Sequence, residues 1–196
     1  MVEKLALLLS VLSAMVALAT AYVSHFQRGR IEVPPIRAVR LDPLRAYDDE
    51  RQPHRIMQVT IVVALVNTGA RTRAVEDLRI RVSTPGVAGD LLLDWREEWP
   101  SLRAEDEGRR FATQPTLGPH ASVSHIYSFD SRVDPESVSR LAELEKMGTD
   151  HSDRRHVGIL ELREGESWTP LRRFTFKYDG SRDIQTGVAE INELAN

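Results

Sequence analysis

The sequence predicts a mainly β protein: an N-terminal transmembrane helix, then an antiparallel β-sandwich with one inserted helix. Three observations predict it. Residues 5–23 are a run of 19 without a charge. About seven or eight short segments with strand patterning follow, separated by turn residues. One later segment alone, 133–147, carries helical spacing with matching end signals.

Sixteen of the 19 residues in the first run are apolar, the exceptions being Ser10, Ser13 and Thr20. As a helix the run is about 28 Å long, close to the hydrocarbon thickness of a bilayer. Its apolar residues go all the way round, which leaves no wet face. A permanent anchor competes with a cleaved signal peptide, for which Ala19-Thr20-Ala21 offers a small-x-small site. The short n-region, with Lys4 offset by Glu3, and the length of the run favour the anchor. Arg28, Arg30, Arg37 and Arg40 follow the run, against Lys4 before it, so charge asymmetry favours a cytoplasmic C-terminal domain. Arg28 and Arg30 are the candidate contacts for anionic lipid; solvated linker charge is the alternative.

Residues 28–55 read as a juxtamembrane stalk with one strand. Val33-Pro34-Pro35 is stiff and extended, 36–41 alternates apolar and basic residues, and Asp42-Pro43 and Asp48-Asp49-Glu50 mark turns. Residues 56–66 are β-branched and apolar on nearly both faces, which predicts a central strand. Asn67-Thr68-Gly69 ends it. In 75–83, Leu78, Ile80 and Val82 alternate with Arg79, Arg81 and Ser83, the pattern of a strand with one wet face. Leu91-Leu92-Leu93 is a short apolar run, 96–108 a charged loop, 109–114 a short strand and 115–122 a turn region. Val123, His125, Tyr127 and Phe129 share one face of the next strand.

In the helix over 133–147, Asp134 can cap, Pro135 suits the first position, and Val138, Leu141, Leu144 and Met147 form the apolar stripe. Gly148 is placed to end it. Residues 157–163 and 167–178 form a hairpin around Glu164-Gly165-Glu166. The remainder is polar, with a short terminal helix at 188–194. The expected division is an anchor (1–27), a stalk with a first strand (28–55), a β-sandwich domain (56–178) and a polar tail (179–196).

Val62-Val63-Ala64-Leu65-Val66-Asn67-Thr68-Gly69 followed by Val75-Glu76-Asp77-Leu78-Arg79-Ile80-Arg81-Val82 resembles the early strands of bacterial immunoglobulin-like domains. There a core strand ends at an Asn-x-Gly turn and the next strand alternates. Leu117-Gly118-Pro119-His120-Ala121-Ser122-Val123 is similar to the turn entering a later strand of the same modules. Anchor, basic flank and sandwich together resemble small bacterial single-pass membrane proteins. The resemblance covers about residues 56–130. It implies a binding or structural module and brings no catalytic residues. The long stretch between Pro85 and Pro115 and the helix depart from the pattern.

The 196 residues hold no Cys, which excludes a disulfide scaffold, a thiol nucleophile and cysteine-ligated metals. A net charge of -3 and the lack of a basic stacking motif argue against nucleic acid. No phosphate-binding glycine loop, nucleophile elbow or H-E-x-x-H occurs. His120 with His125, and His151 with His156 beside Asp150 and Asp153, match no helical face and read as loop residues rather than metal ligands. The acidic triplets at 48–50 and 105–107 offer too few oxygens for calcium and read as solvated charge. The pairs Arg109-Arg110, Arg154-Arg155 and Arg172-Arg173 fit ordinary surface pairing.

Trp95 and Trp99 are the candidate partner interface, since they share a face if their stretch is one helical turn; plugging the sandwich end is the alternative. The expectation is therefore a non-enzymatic interaction module, single-pass in a bacterial cytoplasmic membrane. It is read as an accessory subunit of a membrane-associated complex, with the bilayer and an unidentified protein as partners and no cofactor or metal. The alternative is an exported envelope domain that binds a surface component or carbohydrate.

Overall fold

The computed structural model describes residues 2–26, 29–47, 53–99, 110–150, 155–178 and 185–188. It begins with α1 (Val2–Phe26), in which the segment Ala6–Val23 is long and apolar enough to cross a membrane and is covered by no other described residues. The rest is mainly β with one further helix. The strands are β1 (Ile31–Glu32), β2 (Ala38–Tyr47), β3 (Pro53–Asn67), β4 (Arg73–Ala74), β5 (Leu78–Ser83), β6 (Leu91–Trp99), β7 (Arg110–Phe111), β8 (Thr116–Leu117) and β9 (Ser122–Ser131). After α2 (Pro135–Asp150) come β10 (Arg155–Glu164), β11 (Ser167–Lys177) and β12 (Gln185–Val188).

All pairings are antiparallel. The main path runs β11-β10-β5-β6-β9-β3-β2-β12, with β1 beside β3 and β7 beside β6; β4 and β8 form a separate pair. The two ends of the path, β11 and β12, approach each other, so the sheet is barrel-like. At that seam the buried Arg172 of β11 donates from Nε to the carbonyl oxygen of Val33 at 2.7 Å.

Alternation decides which side chains the roll encloses. Val59, Ile61, Val63 and Leu65 of β3, Leu78, Ile80 and Val82 of β5, and Tyr127 and Phe129 of β9 all enter one core. Leu160 and Leu162 of β10 and Phe174 and Phe176 of β11 complete its far wall. Gly158 faces Phe174 across the β10–β11 pair, and a methyl group there would collide with the Phe174 ring. The expected central strand is β3, flanked by β9 on one side and by β2 and β1 on the other.

The segment read as a stalk contributes Ile31, Val33, Ile36, Val39 and Leu41 to this same core. Asp42-Pro43 lies inside β2 rather than at a turn. Among the described residues the pairing of β2 with β12 stops at Leu41, so no described ladder partner needs a donor from Pro43 on that edge. Residues 96–99, expected as loop, extend β6 as strand. Val188 ends β12; the rest of the expected terminal helix, and both acidic triplets, lie outside the described residues.

Within β6, Leu91–Asp94 pairs with β5, whereas Leu93–Trp99 pairs with β9. Arg96 is an extra residue in the second register, between Trp95 opposite Phe129 and Glu97 opposite Ser128. Such a bulge reverses which residues face inward beyond it. Glu98, opposite Tyr127, therefore faces the interior.

At one end of the roll, Asn67 is fully buried. Its Nδ2 donates to the carbonyls of Arg71 (2.7 Å), Leu117 (3.2 Å) and Gly118 (2.9 Å), and its Oδ1 accepts from Gly69 N (3.0 Å). Beside it, Thr68 N donates to the Arg30 carbonyl at 3.0 Å and Arg30 N donates to Thr68 Oγ1 at 3.1 Å. Gly29 packs so closely on the Gly69 backbone that no side chain fits.

Helix α2 follows β9 and buries Leu141 and Leu144 in the core. Asp134 caps it, accepting from Ser137 N (2.9 Å) and Ser137 Oγ (2.8 Å). Gly148 lies within the helix, not beyond its end. Arg55 holds Glu145 at 2.6 Å, and Arg140 donates to the Ala88 carbonyl at 2.7 Å.

Two predictions follow from this packing. Asn67→Ala strands several carbonyls and should cost on the order of 3 kcal/mol in urea unfolding of the detergent-solubilised chain; an unchanged midpoint would remove the turn's central role. Asp134→Ala should cost about 1 kcal/mol, as helix caps do. The hydrogen bonds from Ser137 hold the Asp134 carboxyl below its ordinary pKa. A lowered folded-state pKa contributes stability above the unfolded value and loses it in acid, so the penalty should be full above about pH 5 and fade below about pH 4.

Candidate functional site

The two indoles singled out in the sequence are not surface side chains. Trp95 is 7% and Trp99 8% exposed. Their segment is strand rather than helix, and the extra residue Arg96 places them on opposite faces. Trp95 belongs to the core and meets the Tyr127 ring edge-on at 5.6 Å. Trp99 stands opposite Ile126 on the other face. Arg28 lies outside the described residues. Arg30 is exposed, with its backbone tied to Thr68.

The histidines separate. His120 is exposed in a left-handed turn conformation, His125 is half-buried, and His156 is buried with Nδ1 2.9 Å from Thr84 Oγ1. His151 lies outside the described residues. Among the described residues no three His, Asp or Glu side chains group as metal ligands do. Of the paired arginines, Arg172 is drawn into the seam while Arg155 and Arg173 are exposed.

The structure assembles two polar clusters that periodicity alone did not reveal. The first is internal. The Glu98 carboxylate, with its side chain only 5% exposed, accepts from Thr113 Oγ1 at 2.8 Å and stands 3.5 Å from His125 Nδ1. Tyr127 faces the same side from the paired position on β9, and its hydroxyl is buried with no hydrogen-bond partner among the described residues. Burial and the Glu98 charge push that phenol well above its ordinary pKa, so it stays neutral at any physiological pH. The group is a buried acid, an imidazole and a phenol. The Thr113 hydroxyl and the His125 ring both face the carboxylate of this cluster.

The second cluster covers the outer face of β5 and β10. The buried Glu161 carboxylate accepts from Arg79 Nε at 2.6 Å and from Arg81 Nε at 3.0 Å. Arg81 also pairs with Asp90 at 3.2 Å, and Asp90 in turn bonds Ser83. The Arg79 guanidinium lies 4.0 Å over the Trp168 ring. Desolvation and the surrounding carboxylates act on Arg81 in opposite senses, and the net effect keeps its proton more tightly held. This is a satisfied network between neighbouring strands, which rigidifies the face.

Comparison with known proteins adds little. No family model matches the chain, and no curated protein does. A crystal structure of a protein from Archaeoglobus fulgidus aligns over 82% of this chain and 99% of its own, at 9% identity and a TM-score of 0.40. A likeness that slight carries no argument about fold or function.

Glu161 and Arg79 could have been suspected from sequence, because both sit at wet-face positions of alternating strands. Glu98 could not, because only the bulge turns it inward. Removing the Tyr127 hydroxyl removes a buried group without a partner, so Tyr127→Phe should leave stability unchanged or raise it by about 1 kcal/mol. Glu161→Ala leaves two guanidinium groups without their shared carboxylate and should cost about 2 kcal/mol. Chemical denaturation of both variants checks the pair; the reverse ranking would contradict the assignments.

Proposed function

We propose that the chain is a single-pass membrane protein whose β domain is a non-enzymatic interaction module. It serves a membrane-associated complex at the bacterial cytoplasmic membrane, with the domain on the cytoplasmic side. The observation that carries this reading is α1: a 25-residue helix whose apolar stretch is covered by none of the other described residues, joined to the domain through only two residues after Phe26. Burying such a surface in water is impossible for the helix alone, and a bilayer removes the cost. The charge asymmetry around the run supports the cytoplasmic placement.

The strand order supports an immunoglobulin-like reading of the domain. β2, β3, β9 and the second half of β6 correspond to a four-stranded layer; the first half of β6, β5, β10 and β11 correspond to the other. Such an architecture presents sheet edges and end loops to partners. Phe111, 84% exposed on the short strand β7, offers a partner an aromatic anchor beside a sheet edge.

Alkaline carbonate extraction of bacterial membranes, combined with a C-terminal topology reporter, tests the proposal. The full chain should stay in the pellet at full length with its reporter on the cytoplasmic side, and deletion of residues 2–26 should release it. A mature chain shortened near residue 21 would identify a cleaved signal peptide instead, and an external reporter would place the domain in the envelope.

A further inference from the structure

The domain is tied to α1 at one particular end. Gly29 packs on Gly69, and its carbonyl accepts from Arg73 Nη1 at 2.6 Å. Arg73 also pairs with Glu164, and Gly165 N donates to Glu76 Oε2 at 3.1 Å. On the other side of the same turn, His120 N donates to the Gly69 carbonyl at 3.0 Å. The first residue past the helix connection is thus fastened to the 68–73 turn, which is itself bonded to the loops at 117–121 and 164–167. All three lie at the same end of the roll, because β3 finishes there, β9 begins there and the β10–β11 hairpin turns there.

Covalent reach makes this decisive. Phe26 and Gly29 are three peptide steps apart, so their Cα atoms lie within about 11 Å of each other. The opposite end, with α2 and the β5–β6 turn, is about 30 Å away along the ten-residue β10. Direction is set as well. β1 runs antiparallel to β3, so the chain enters the domain heading along the strands, away from the helix connection.

Resting on the membrane-anchor reading above, we propose that the end bearing the tips Arg71-Thr72, Pro119-His120 and Gly165-Glu166 docks on the lipid headgroup surface. The α2 end then points away from the bilayer and faces protein partners. All six tip residues are exposed. The rim mixes Arg71 and Arg163 with Glu164 and Glu166, so the contact follows from the tether and does not require anionic lipid.

The chain has no cysteine, so single introduced thiols report unambiguously. Thr72→Cys and Glu166→Cys label the proximal end; Ala88→Cys and Ala142→Cys label the distal end. Each full-length variant, carrying a fluorophore, is reconstituted into vesicles of phosphatidylcholine alone or with phosphatidylglycerol, containing headgroup-nitroxide lipid. We expect severalfold stronger quenching at both proximal sites than at both distal sites, in both lipid mixtures. Inserting ten Gly/Ser residues between Gln27 and Arg28 should abolish the contrast while the protein still floats with the vesicles. Equal quenching at the two ends overturns the orientation. So does a contrast confined to anionic vesicles or one that survives the insertion, since either removes the tether as its cause. Failure to float overturns the anchor itself, and the docking with it; flotation without contrast overturns the docking alone.

Discussion

The carboxamide of Asn67 is the constraint on which the rest of this structure depends. A buried amide has to satisfy its polar atoms within the protein, and here it does so by collecting carbonyls from two different loops. That single side chain fixes the end of the central strand β3, the turn that follows it and the loop entering β9. The same turn receives Arg30 through a backbone hydrogen bond from Thr68 N and a second bond from Arg30 N to the Thr68 hydroxyl. Loop geometry, sheet register and the attachment of the domain to its helix are therefore one problem with one solution.

The second organising feature is the bulge in β6. A strand that changes neighbours half-way has to rotate, and the extra residue Arg96 supplies that rotation. It brings Glu98, in place of Glu97, to the inward position opposite Tyr127, and it parts Trp95 from Trp99. The cost of burying the Glu98 carboxylate is offset by the Thr113 hydroxyl and the nearby His125 ring. At the opposite seam, Arg172 reaches the Val33 carbonyl and draws the first and last parts of the described sheet together.

Much of this was legible in the sequence where a physical period was strong. The apolar stretch of α1, the two-faced apolar run of β3, the alternation in β5 and β9, and the capped start of α2 each announce themselves, and the structure has them within a few residues. Short-range periodicity fails elsewhere for identifiable reasons. β2 contains Asp42-Pro43, which looks like a turn until the pairing shows both residues opposite Gln58 and Met57 of β3. The second half of β6 is charged because one of its faces is polar and because Glu98 is turned by a bulge that no residue type signals. β12 is four residues long and exists only through its partner β2. Pairing order and the polar clusters are long-range facts, and a single sequence encodes them only through the whole fold.

The central claim is that the segment leaving α1 is part of the β core and not a stalk. Amide hydrogen exchange on the full chain in nanodiscs tests this most directly. The account predicts that Val39 and Leu41 exchange as slowly as Val63 and Leu65, through one cooperative opening, with Thr68 protected as well. Exchange of residues 30–41 at the rate of unstructured chain, while β3 stays protected, would contradict it.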